Sequence, residues 1–290
     1  MMTPLVWAVL AMAADAHGET NAPYAALRKG GIAAAKMADG LAWQAQLGVI
    51  NGVLQEHKVR EYPLPYAKNR AGLMLFSPPR LIDKSPPGQR VYAIDAYFIA
   101  HGDFEVFRAA KVSEFFDPQR GGATVVSIPT AALKSLGISL AEGKRVHEQF
   151  DHVTYSLDER FLIQATQQTV QTETNGSVLE ASRTDARFNR HEKYPNQWQA
   201  TRGRDGEGKA VVRGEAAVYD GNGICIKVTK LDAPRSVLPS GGVFVEYHAR
   251  YVEPEAWFGN RDVVRSKLKL ELSNKIGDFR RRLAKASKGR

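Results

Sequence analysis

Residues 150–182 read FDHVTYSLDERFLIQATQQTVQTETNGSVLEAS, and this stretch decides the fold class. Val153, Tyr155 and Leu157 alternate with polar neighbours, the period of a strand with one face turned to a core. Phe161 to Thr174 is rich in Thr, Gln and Val, which suit a pleated surface. Asn175-Gly176 then supplies a hairpin turn into Ser177 to Ser182.

The same grammar continues on both sides. Downstream, Asp220-Gly221 and Asn222-Gly223 stand between Glu215–Tyr219 and Ile224–Leu231, and Val243 to Val252 follows Gly241-Gly242. Upstream, Val91 to Ala100 (VYAIDAYFIA) is an apolar, aromatic-rich run that reads as a strand buried on both faces. Short strands separated by turn residues favour an antiparallel sheet over a doubly wound parallel one. Helical signal is sparse: Tyr24–Met37, interrupted at Gly30-Gly31; Val112–Phe116; and Thr130–Leu136, with a threonine start and Gly137 as its stop. Leu41–Leu54 has no clean period. Pro63–Pro87 holds six of the fourteen prolines and reads as loop around one strand, Leu73–Phe76. The expected class is α+β, predominantly antiparallel sheet with a few short helices.

One longer helix closes the chain, expected over 262–286. Val264, Leu268, Leu272, Ile276, Phe279 and Leu283 recur at spacings of four or three, one apolar stripe. Lys267, Lys269, Lys275, Arg281, Arg282 and Lys285 lie off it. Residues 261–290 hold eleven Lys/Arg against three acids, a net +8 of the whole chain's +9. That concentration points to a local anionic partner, a lipid surface or an acidic protein, rather than a basic face across the fold. Nucleic acid is disfavoured because no reading motif accompanies the charge.

Composition excludes other classes. The 290 residues are 43% apolar and 24% charged, ordinary globular usage. The lone Cys225 excludes an intrachain disulfide framework and any cysteine-built metal cage, and no apolar run has the length of a membrane-spanning helix. Leu5–Ala14 (LVWAVLAMAA) has the size of a signal-peptide core, followed by small-x-small cleavage patterns at Ala11–Ala13 and Ala14–Ala16. The expected organisation is therefore a signal peptide over 1–16, export to the periplasm or exterior, and one domain over 17–290. Val91–Phe107 and Val243–Phe258 share a strand–turn–aromatic pattern, a faint sign of related halves at about 40–140 and 145–260 that chance also explains.

Motifs for chemistry are few. Gly203–Lys209 has phosphate-loop spacing, yet Ala210 stands where a Ser or Thr hydroxyl is required and no helix pattern follows, so a hairpin loop is expected. His147 and His152, with Glu148 and Asp151, form a weak metal candidate whose five-residue spacing puts the imidazoles on opposite faces of a strand. No serine elbow is present. On Val243–Val252, alternation places Glu246, His248 and Arg250 in one row, and on Val91–His101 it places Asp95 and His101 on one face. Asp95 is the only charge in its apolar run and, if buried, needs a basic partner such as His248 or Arg250. A cleft holding Asp95, Glu246, His248 and Arg250 is the hydrolase alternative; an ion pair inside a sheet is the structural one. No cofactor is expected.

Pro195-Asn196-Gln197-Trp198, Val245-Glu246-Tyr247-His248, Glu253–Phe258 and Arg265–Leu268 resemble the carboxyl-terminal part of uncharacterised exported bacterial proteins, over about the last hundred residues. The resemblance implies no activity, substrate or cofactor. The reading that follows is an exported, non-enzymatic binding or structural protein of the cell envelope, its basic helix engaging an anionic surface or partner.

Overall fold

A computed structural model describes residues 21–59, 73–83, 88–116, 123–143, 145–206, 210–257 and 263–288. The signal-peptide expectation, most of the proline-rich stretch and the end of the phosphate-loop-like segment lie outside them. The chain begins with helices α1 (Ala22–Lys29) and α2 (Trp43–Glu56) and continues through strands β1 (Met74–Phe76), β2 (Arg80–Asp83) and β3 (Gln89–His101). Two 3-10 turns (Phe104–Arg108, Val112–Phe116), β4 (Thr124–Ser127), α3 (Thr130–Ser135) and β5 (Glu142–Gly143) follow. Then come β6 (Val146–Leu157), β7 (Phe161–Glu173), β8 (Ser177–Thr184), a 3-10 turn (Ala186–Phe188), β9 (Gln197–Arg204), β10 (Ala210–Val218), β11 (Gly223–Lys230), β12 (Gly242–Pro254) and α4 (Val263–Lys288).

All twelve strands belong to one antiparallel sheet whose main order is β1-β3-β12-β11-β8-β7-β6-β4. Short strands share neighbours: β2 lies with β1 along β3, β5 with β4 along β6, and β9 with β8 along β7. The class is α+β, predominantly antiparallel, with the basic helix at the carboxyl end.

The centre of the sheet is covered on both sides. On one face, Ile94, Phe98, Val243, Val245, Ile226 and Val228 meet Leu272, Ile276, Phe279 and Leu283 of α4, together with Phe104, Phe107, Phe115 and Phe116 of the 3-10 turns. On the other, Tyr97, Ile99 and Phe244 meet Ile50, Val53 and Leu54 of α2 with Met37, while Leu179, Ala181 and Cys225 meet Tyr24 and Leu27 of α1. Two-sided cover is why every residue from Val91 to Ala100 is buried and why that run shows no alternation.

Local details differ from the sequence expectations in instructive ways. α2 has no clean period because Gln46 occupies its buried stripe, with Nε2 donating to the Lys230 carbonyl at 2.9 Å and Oε1 accepting from the Asp232 amide at 2.9 Å. α3 has no threonine cap; Pro129 holds that position without a side-chain hydrogen bond, while Gly137 does terminate the element at φ +71°. Val112–Phe116 is a 3-10 turn, and β2 was not foreseen. The Asp220–Gly223 turn joins strands that do not pair, since β10 lies against β9 while β11 runs between β8 and β12. Gly221 is required there: its φ is +84°, and a Cβ on it would sit 2.1 Å from Thr184 Cβ.

Candidate functional site

The register of β3 against β12 sets His248 directly opposite Asp95, and Glu246 opposite Tyr97, in the row the alternation assigned. His248 Nδ1 lies 2.7 Å from Asp95 Oδ1, and its Nε2 lies 4.0 Å from Glu246 Oε2. Arg80 of β2 approaches the other Asp95 oxygen at 3.9 Å. Asp95, Glu246 and His248 therefore converge. Arg250 does not join them: it faces Ala93, and the acids acting on it are Asp83 and Asp220. Burial pulls the Arg250 guanidinium below its ordinary value, and those acids oppose the shift. His101 shares the Asp95 face but sits six residues along, about 20 Å away at the strand's 3.3 Å rise.

Convergence does not make this row a cleft. Glu246 and His248 are fully buried, under the chain that links α1 to α2. Both Glu246 oxygens accept main-chain amides from that link, Lys36 N at 2.6 Å and Met37 N at 2.9 Å. One strand over, the Lys227 ammonium donates to the Met37 carbonyl at 2.7 Å and pairs with Asp39 at 3.0 Å. Ser177 Oγ adds a 2.6 Å bond to Asp39. Burial pushes the Asp39 carboxyl up, but the Lys227 charge and the hydrogen bonds from Ser177, Lys227 and Thr174 outweigh it and hold it below its ordinary value. Asp95, His248, Glu246, Lys227 and Asp39 thus form a polar seam that clamps residues 36–39 to the sheet. Sequence reasoning missed Lys227 and the link. The usable signal was Lys227 itself, the one charge among Ile224–Thr229, on the face it shares with Cys225. Cys225 stands opposite His248 in the ladder, but burial pushes its thiol far up, and it packs as a small apolar side chain.

His147 and His152 occupy opposite faces of β6. His147 is exposed; His152 is buried with Nδ1 3.0 Å from Thr166 Oγ1, and burial, then the nearby His191, lowers its affinity for a proton. Among the described residues no three His, Cys, Asp or Glu side chains gather at metal-binding distance. His147 instead lines an open cavity of about 380 Å³ with Arg108, Arg145, Glu148, Gln171 and Glu173, to which neither β3 nor β12 contributes a residue. Its mixed charges specify no reaction.

The basic helix is the remaining site. Its apolar stripe is spent on the sheet: Leu272, Ile276, Phe279 and Leu283 are buried and Leu268 packs beside them. The Val264 and Lys267 side chains lie outside the described set. Some cations are engaged at home: Arg280 donates to the Ile99 and Leu73 carbonyls, Arg282 to the Glu114 carbonyl, and Arg281 to Asp278. Burial lowers the Arg280 guanidinium to about 10. Lys269, Lys275, Lys285 and Lys288 have no acidic partner within 4 Å among the described residues. Leu270 is 67% exposed. Its spacing from Arg281 and Lys288, eleven and then seven residues, puts the three on one outward line.

No helix among the described residues is long and apolar enough to cross a membrane. No family model matches the sequence, and no curated protein is similar to it. Among solved structures, human STARD10 is similar over 70% of this chain and 73% of that chain, with TM-score 0.38 and 11% identity.

Proposed function

We propose that this is an exported, non-enzymatic binding protein that docks on an anionic lipid surface through the lysines of α4. The observation that carries the reading is the set of lysines on α4, at 269, 275, 285 and 288, without acidic partners among the described residues. The helix cannot insert its apolar stripe as interfacial helices do, because that stripe is in the core. Binding is then electrostatic, about 1 kcal/mol per lysine near an anionic membrane, and weakened by salt.

The test is co-sedimentation with phosphatidylglycerol/phosphatidylcholine vesicles. Deleting the helix would remove core residues, so charge is removed instead: the triple variant Lys269→Gln, Lys275→Gln, Lys285→Gln is expected to bind about 100-fold more weakly, following from about 3 kcal/mol lost. Wild-type binding that survives high salt, or a triple variant that binds like wild type, overturns the lipid surface as partner. Export is tested separately: Edman sequencing of the mature protein from fractionated cells is expected to begin after Ala13 or Ala16, and an intact Met1 terminus refutes it.

The hydrolase alternative meets its geometric condition, since Asp95 and His248 are hydrogen-bonded. It lacks access. Substrate would have to replace the Lys36–Met37 amides on Glu246, so the row is better understood as a clamp.

A further inference from the structure

We propose that the β9–β10 hairpin is a self-association surface, on which two copies of the chain pair β10 with β10, antiparallel and centred on Gly214. Among the described residues β10 pairs only with β9, so its other edge offers unpaired amides and carbonyls. The strand is exposed along nearly its whole length on both faces, with Val211, Val212 and Val218 each more than 40% exposed. A two-stranded ribbon wet on both faces is marginal alone and gains from further strands.

The sequence says which strand fits. β10 reads AVVRGEAAV, and about Gly214 it is nearly its own complement in charge and size. Antiparallel pairing of two copies sets Arg213 opposite the second copy's Glu215, twice by symmetry. Val212 then faces Ala216, Val211 faces Ala217 and Ala210 faces Val218. Opposite charges directly across an antiparallel pair stabilise it, and like charges destabilise it. A two-fold axis through one strand requires this self-complementarity.

β10 bulges beside the proposed axis. The register against β9 shifts between Ala210 and Val212 and again between Arg213 and Ala217, where Gly214, Glu215 and Ala216 stand opposite Gln199 alone, and Gly214 has φ +77°. Gln199 Nε2 donates to the Gly214 carbonyl at 3.2 Å, fixing the bulge toward β9. Pairing about Gly214 sets each copy's bulged Glu215 and Ala216 against the other's Arg213 and Val212, so the bulge must be drawn out into the ladder on association. Nine residues a side is a small interface, and a dissociation constant of about micromolar order is expected.

Sedimentation equilibrium of the full chain over a concentration series tests the proposal. Wild type is expected to dimerise reversibly. R213E and E215R should each weaken the dimer about tenfold or more, because each places like charges opposite twice. The double variant R213E/E215R restores both attractions and should return to within about threefold of wild type. The substituted side chains are exposed, so circular dichroism and thermal unfolding should be unchanged. A wild type that stays monomeric throughout, single reversals without effect, or a double variant as weak as the singles would each overturn it.

Discussion

Replacing Glu246 with alanine is expected to destabilise the protein by about 3–5 kcal/mol, a large share of the roughly 5–15 kcal/mol that holds a domain folded. The carboxylate, itself fully buried, satisfies two main-chain amides, at Lys36 and Met37. Truncation leaves both donors bare in a low-dielectric seam, beside the buried Lys227 ammonium whose acceptor is the Met37 carbonyl. Glu246→Gln should fall between, because an amide keeps one acceptor and presents its own donors to the second N–H. Glu56→Ala is the contrast: it removes a 2.8 Å pair with Lys36 at the surface and should cost no more than about 1 kcal/mol. Urea titration measures all three, and hydrogen exchange at the Lys36 and Met37 amides should accelerate most in Glu246→Ala. A loss under about 1 kcal/mol in that variant would show the seam to be incidental.

The second large effect belongs to Phe279. Its ring lies 4.9 Å from Phe116, 5.2 Å from Phe98 and 5.7 Å from both Phe107 and Phe115, so one side chain joins α4, β3 and both 3-10 turns. Phe279→Ala is expected to cost about 3–5 kcal/mol, since four aromatic neighbours cannot close the hole. Phe279→Leu keeps most of the volume and should cost less than half of that. Thermal unfolding followed by near-ultraviolet dichroism reads both. Alanine tolerated within about 1 kcal/mol would mean that α4 is held by something other than its stripe. This variant also separates the helix's two roles, as Phe279 anchors it while Lys269, Lys285 and Lys288 are exposed and Lys275 is half-exposed.

Much of the fold was legible because its signals are local. The Asn175-Gly176 hairpin, the Val91–Ala100 strand and the α4 stripe each come from spacing or turn chemistry within about a dozen residues. The α2 helix was not, because the Gln46 side chain caps main-chain groups around β11 that are about 185 residues distant, and periodicity cannot distinguish that from a polar face. Strand order was also hidden: nothing near Asp220–Gly223 reveals that the flanking strands pair elsewhere. At the candidate site, alternation put Glu246, His248 and Arg250 in one row, since strand parity is local arithmetic, while the guess that Asp95 meets His248 or Arg250 rested on its need for a basic partner, and only His248 meets it. Alternation had no access to the lid. Whether the row is a cleft or a clamp depends on residues 36–39 lying over it, a contact more than 200 residues long in sequence.

The ladder between β3 and β12 joins residues 141 to 165 positions apart, and it lies inside the sheet, one strand in from the β1 edge. Ribosomes add about 5–20 residues per second, so β3, buried along Val91–Ala100, emerges roughly 7–33 s before the strand that shields it. During that interval it must remain solitary, kept from neighbours by dilution or by a chaperone, and the finished architecture can snap shut only when the tail of the polypeptide arrives. High contact order of this kind makes for slow, late, all-together maturation.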